Sequence, residues 1–184
     1  MSIAETLPPK SQLHEYARPQ DFMDCYSVEI DNQWATETAT MQEIAALCFS
    51  IDVPGRAALT RLRTLLVKPL GLKTGDGLPP ETQHTDVRDK QPGDRIGFFR
   101  IYSIDENEII LGEDDIHQDF RLTVLRSGTT PTKLFMATCC QRHNVFGYFY
   151  LAVILPFHKY GVNALLDGVA AKLAAAGNSP VPVN

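Results

Sequence analysis

The feature that most constrains this chain is its second half, where four runs of strand-like alternation precede one long apolar helix. The runs are Arg95–Ile104, Glu108–Glu113, Phe120–Arg126 and Lys133–His143, and helical spacing follows from Val145 to about Ala176. Alternation at period two puts one apolar side on each strand. Asp105-Glu106-Asn107 and the segment from Ser127 to Thr132, with Gly128 and Pro131, supply turn chemistry between runs. Ile96, Phe98, Tyr102 and Ile104 share one face of the first run, which Arg100 interrupts. The Lys133–His143 run is apolar on both sides, so it belongs in the middle of a sheet covered on both faces. A helix of about 30 residues spans roughly 45 Å, long enough to cross a whole sheet. Pro156 inside it removes a backbone donor and predicts a kink. The fold class is therefore α+β: a curved antiparallel sheet packed by a long C-terminal helix.

The first half adds to this frame. Residues 1–20, with Pro8, Pro9 and Pro19, read as an irregular lead-in, and Cys25–Ile30 as a first strand. Two short helices follow. Thr40 with Glu43 three residues on forms a capping box, and Met41, Ile44, Ala45, Leu47 and Cys48 give that helix its apolar stripe. The second starts at Pro54 and carries Leu59, Leu62, Leu65, Leu66 and Leu70. Residues 72–93, rich in glycine and proline, read as a mobile loop rather than a functional flap, and 177–184 as a tail. Residues 1–184 make one domain.

Composition narrows the function classes. The chain is 44% hydrophobic and 21% charged, with a net charge of −5. Such a balance argues against a general nucleic-acid or anionic-surface binder, which needs a basic face. Cys25, Cys48, Cys139 and Cys140 form no zinc-knuckle spacing. Adjacent Cys139 and Cys140 point to opposite faces of a strand, so all four read as buried free thiols in a reducing compartment. The N-terminus carries no secretory pattern. The longest apolar run, Val145–Phe157, is 13 residues, against about 20 for a transmembrane span. A cytoplasmic, soluble protein is the expectation.

Polar clusters give few leads. Asp114, Asp115, His117 and Asp119 could approach a divalent cation, but on a strand Asp115, His117, Asp119 and Arg121 would form a solvated, ion-paired face, which we favour over a metal site. Arg142, His143 and Asn144 stand where the last strand turns into the long helix. Asn144 is a helix cap, and Arg142 is expected to pair with an acid such as Asp119. His158 reads as structural. No GxSxG, HExxH or phosphate-loop pattern occurs, and nothing asks for a cofactor.

Three segments carry a family resemblance: KPLGLKTG at Lys68–Gly75, DRIGFFRIYSIDENEIILGEDDIHQDFRLTVL at Asp94–Leu125, and RHNVFGYFYLAVILPFH at Arg142–His158. They resemble the DUF2867 family, bacterial proteins of uncharacterised function, over about Asp24 to Ala171. The element order resembles the helix-grip fold of the START-like and Bet v 1-like (SRPBCC) superfamily. That resemblance implies six or seven strands, of which five are firm here, with another sought in Gln83–Asp89. It implies a cavity between sheet and helix and supplies no catalytic residue. The resulting expectation is a module that binds an apolar or amphipathic small molecule, lipid-like or aromatic. Phe98, Tyr102, Phe146, Phe149, Tyr150 and Phe157 would line or fill the space, and Arg100 or Arg142 would orient a polar head. One alternative is cyclase- or hydrolase-like chemistry on a polyketide-type substrate, with His143 as acid/base. Another is an interaction domain with a filled core, homodimeric through exposed helix surface.

Overall fold

The computed structural model describes residues 1–55, 86–128 and 130–181. The second short helix (Leu59–Leu70), the KPLGLKTG segment and most of the 72–93 loop lie outside the described residues.

Among the described residues seven strands form one antiparallel sheet: β1 (Ile3–Ala4), β2 (Phe22–Glu29), β3 (Arg95–Ile96), β4 (Phe99–Ile104), β5 (Glu108–Asp114), β6 (Gln118–Arg126) and β7 (Lys133–Arg142). Their order is β1-β2-β7-β6-β5-β4-β3. β7 is interior, between β2 and β6, as its two apolar faces require. Among the described residues the two α-helices are α1 (Met41–Ser50) and α2 (Val145–Ala176). Asp86–Asp89 adds no strand; Val87–Asp89 is a single helical turn.

The predicted run Arg95–Ile104 is not one strand. Gly97, at φ 57°, takes a left-handed turn conformation that costs a glycine little, so Gly97 and Phe98 close a two-residue hairpin that pairs Ile96 with Phe99. A bulge between Ile101 and Ser103 then shifts the register. Phe98 thus sits in a turn, and Tyr102 faces away from the helices. The expected shared face of Ile96, Phe98, Tyr102 and Ile104 does not exist.

The helices pack on one face of the sheet. Tyr26, Val28, Ile101, Ile109, Leu111, Leu122, Val124, Leu134 and Met136 meet α1 and the second half of α2, whose Val162, Leu166, Val169 and Leu173 are buried there. The capping box of α1 forms as read: the Thr40 side chain accepts from the Glu43 N–H, and Glu43 accepts from the Thr40 N–H at 2.9 Å. Before α1, Trp34–Thr38 makes a wide helical turn closed by the Ala39 N–H on the Trp34 carbonyl at 2.7 Å. Its end would leave carbonyls bare in the core. Buried Arg126 donates to the Ala35 and Ala39 carbonyls at 2.8 and 3.1 Å. Burial depresses the pKa of this guanidinium from its ordinary value.

The other face is covered by the N-terminal segment. Leu7 and Leu13 are buried against Cys25, Ile110, Phe135, Ala137 and Cys139, with Tyr16, Ala17 and Tyr102 at the margin. The anchor is the buried carboxylate of Glu108, which accepts from Ser11 Oγ at 2.5 Å, the Gln12 N–H at 2.7 Å and Thr123 Oγ1 at 2.6 Å. Residues 1–20, expected to be an irregular lead-in, instead hold β1, paired with β2, and a short helical turn at Gln12–Glu15 capped by Ser11, and they pack on the sheet as a layer. The four cysteines are free and buried, as read.

α2 runs without interruption through Pro156. By length and composition alone it is also long and apolar enough to cross a membrane. Its second half lies in the core, and Asn32 Nδ2 donates to the Leu173 carbonyl at 3.3 Å and to the Gly177 carbonyl.

Candidate functional site

Two groups of side chains stand out near the β5–β6 hairpin end of the sheet. The first is a row of phenylalanines on the helix-bearing face. Phe99 of β4 and Phe120 of β6 have ring centroids 5.6 Å apart, and Phe49 from the last turn of α1 lies 4.9 Å from Phe99. Phe98, from the hairpin turn, stands edge-on to Phe99 at 5.4 Å. All four are half-buried, whereas Ile101, Ile109, Leu111 and Val124 on the same sheet face are fully covered. The row therefore marks where the apolar floor of the sheet reaches the surface.

The second group joins the hairpin tip to the start of α2. Asp115, Ile116 and His117 form the turn itself, not a strand face. The His117 carbonyl accepts from the His143 N–H at 3.0 Å. Asn144 caps α2 as expected, accepting from the Gly147 N–H at 3.0 Å, and its Nδ2 donates to the Ile116 carbonyl at 3.2 Å. A Cβ on Gly147 would stand 2.3 Å from the His117 carbonyl oxygen, so only glycine allows this approach. The His117 ring is buried edge-on against Phe146 and Tyr150, at 5.6 and 5.0 Å.

The acidic cluster is ion-paired, but it is not the solvated face expected from alternation. Arg121 meets Asp114 at 2.7 Å, and the buried His117 lies 3.7 Å from Asp115. His143 Nε2, rather than Arg142, pairs with Asp119, at 3.2 Å. Arg142 instead donates to the Gln20 carbonyl and lies over the Tyr148 ring, 4.4 Å from its centroid. His158 Nε2 pairs with Asp24 at 3.1 Å, tying α2 to β2. Among the described residues no group of three or more histidines, cysteines and carboxylates is placed to hold a metal.

The residues singled out from the sequence divide accordingly. Phe98 joins the phenylalanine row. Arg142, His143, Phe146 and Tyr150 come together at the hairpin tip. Arg100 is exposed, with its guanidinium 5.9 Å from the Tyr102 ring centroid, so it does not enter the core. Tyr102 lies on the far face, donating to Asp114 at 2.9 Å with Arg121 over its ring at 3.7 Å. Burial and then the Asp114 hydrogen bond push the Tyr102 hydroxyl up to about 12. Phe149 and Phe157 point outward, 56% and 45% exposed. The sequence reading missed Phe49, Phe99 and Phe120 as site residues. The signal was faint: three distant elements each place one phenylalanine at one end of the sheet, and no periodicity links them.

The thiols are poor nucleophiles. Burial pushes Cys139 up to about 11, and Cys25, Cys48 and Cys140 up to about 12.

A family model described as a protein of unknown function (DUF2867) matches residues 16–165. No curated protein and no solved structure matches the chain.

Proposed function

The chain therefore belongs to the DUF2867 family, whose description assigns no reaction, and we propose on its geometry that it binds an apolar or amphipathic small molecule on the helix-bearing face of the sheet. The observation that carries this reading is the contiguous, half-buried row of Phe98, Phe99, Phe120 and Phe49. Small-molecule sites are mostly apolar, with a few polar groups nearby. Aromatic rings supply large contact area and rigid faces for a flat or greasy ligand. In this reading the protein is a START-like helix-grip module acting as a carrier or receptor. The seven strands and the long terminal helix agree with that architecture. Fold analogy adds little about the ligand's identity, so the proposal stops at its chemical class.

Titration with a fluorescent apolar probe such as an anilinonaphthalene sulfonate tests the reading. The wild-type protein should bind saturably. Phe99→Ser and Phe120→Ser should weaken binding on the order of tenfold, because each removes a large apolar contact. Phe149→Ser, on the outward side of α2, should leave the probe binding that depends on Phe99 and Phe120 unchanged. Equal affinity in all four proteins, each unfolding cooperatively, would refute the site.

A further inference from the structure

Among the described residues nine large hydrophobics are exposed, and six of them, Ile116, Val145, Tyr148, Phe149, Phe157 and Tyr160, lie on the first half of α2 or at the hairpin tip beside it. On α2 they follow helical spacing, so they form one outward stripe, about 22 Å long from Val145 to Tyr160. No charged side chain occurs between Val145 and Phe157. Of residues 145–160 of this helix, only Gly147, Tyr150 and Leu151 are buried. Water-facing stripes of this kind mark interaction surfaces.

The charges around the stripe say what it meets. Of the nearby acids, Asp114 pairs with the Arg121 guanidinium, while Asp119 and Asp24 are held within reach of the His143 and His158 rings. Arg142 before the helix and Lys159 near the end of the stripe have no carboxylate partner among the described residues. The stripe is thus apolar and aromatic, with cations at its two ends. A second copy fits it poorly. Antiparallel pairing of two stripes about Ala152 would set one copy's Lys159 near the other's Arg142, like charge on like. A bilayer carrying anionic headgroups fits both features: phenylalanine reaches the acyl boundary, tyrosine favours the interface, and the cations meet phosphate. The net charge of −5 acts weakly here, because charges more than about 8 Å away are screened at physiological salt.

We infer that the outward stripe of α2, centred on Phe149 and flanked by Arg142 and Lys159, docks the protein on an anionic phospholipid surface. This inference is independent of the phenylalanine row on the sheet. The test is co-sedimentation of the full chain with phosphatidylcholine vesicles, with and without phosphatidylglycerol, alongside light scattering of the free protein. The expected result is binding to the phosphatidylglycerol-containing vesicles. It should fall on the order of tenfold or more in Phe149→Ser/Phe157→Ser, from the lost apolar burial, and about as much in Arg142→Gln/Lys159→Gln. All variants should unfold cooperatively, with Arg142→Gln/Lys159→Gln somewhat less stable because Arg142 also donates to the Gln20 carbonyl. Three outcomes would overturn the inference: no vesicle binding, equal binding to neutral and anionic vesicles, or a stable dimer in free solution that Phe149→Ser/Phe157→Ser dissolves.

Discussion

Glu108→Ala is expected to destabilise the protein by about 3–4 kcal/mol and to release the N-terminal segment from the sheet. The carboxylate is buried and takes three donors, Ser11 Oγ, the Gln12 N–H and Thr123 Oγ1, at 2.5–2.7 Å. A hydrogen bond to a charged group contributes about 1.5–3 kcal/mol, so three give a gross loss of several kcal/mol. Relief of the carboxylate's own desolvation returns part of that, and the donors left without an acceptor keep the net loss at about 3–4 kcal/mol. At roughly 2–4 °C per kcal/mol for a chain of this size, the melting temperature should fall by about 6–16 °C. Glu108→Gln should cost about 1–2 kcal/mol. Its amide oxygen can still serve the two hydroxyls that share Oε1, while its amino group confronts the Gln12 N–H. Thermal unfolding gives the size of the effect, and hydrogen exchange gives its place. Protection should drop in residues 7–17 and in β5 before it drops in α1. A loss below about 1 kcal/mol in Glu108→Ala, or unchanged exchange in residues 7–17, would refute the claim that this segment is a layer of the fold.

Other expectations follow from single contacts. Gly147→Ala should lower the melting temperature, although alanine favours helix by about 1 kcal/mol over glycine. Its Cβ would meet the His117 carbonyl oxygen at 2.3 Å, an overpacking that costs about 1–3 kcal/mol or more; an increase in melting temperature would contradict the close approach. The four thiols should resist a disulfide exchange reagent at pH 8 in the native protein and all react in denaturant. Their raised pKa values stabilise the fold fully below the unfolded thiol value of about 8.5. That contribution is lost as pH rises towards 11–12, so urea midpoints should decline across this alkaline range. The Lys133 hydrogen bond, followed by that of Ser27, lowers the pKa of Glu5. Its contribution is present above the unfolded carboxylate value and lost as pH falls through the folded one. Lys133→Met should raise the Glu5 titration midpoint seen by carboxyl NMR; an unmoved midpoint would contradict the pairing at 2.6 Å.

Much of the frame was legible because it rests on local signals. The bounds of α2, Val145–Ala176, emerged from apolar spacing and the Asn144 cap, and those of α1 from the Thr40–Glu43 box. The interior place of β7 followed from its two apolar faces. What escaped depends on single backbone conformations or on contacts remote in sequence. One positive φ at Gly97 folds an apparent ten-residue strand into a hairpin, and with the bulge after Ile101 it reassigns the faces of Phe98 and Tyr102. The covering role of residues 1–20 rests on Ser11 and Gln12 reaching Glu108, nearly a hundred positions away. The site was less legible still. Arg142, His143, Phe146 and Tyr150 are close in sequence and meet in space, whereas Phe49, Phe99 and Phe120 converge only through strand pairing and helix packing.

Native mass spectrometry of freshly purified protein, paired with solvent extraction of the same sample, tests the central claim most directly. The account predicts a near-stoichiometric apolar or amphipathic molecule retained by the wild-type chain and by Phe149→Ser, and lost from Phe99→Ser/Phe120→Ser. A ligand retained equally by all three proteins, or a clean apo protein that also fails to take up added apolar probe, would contradict it.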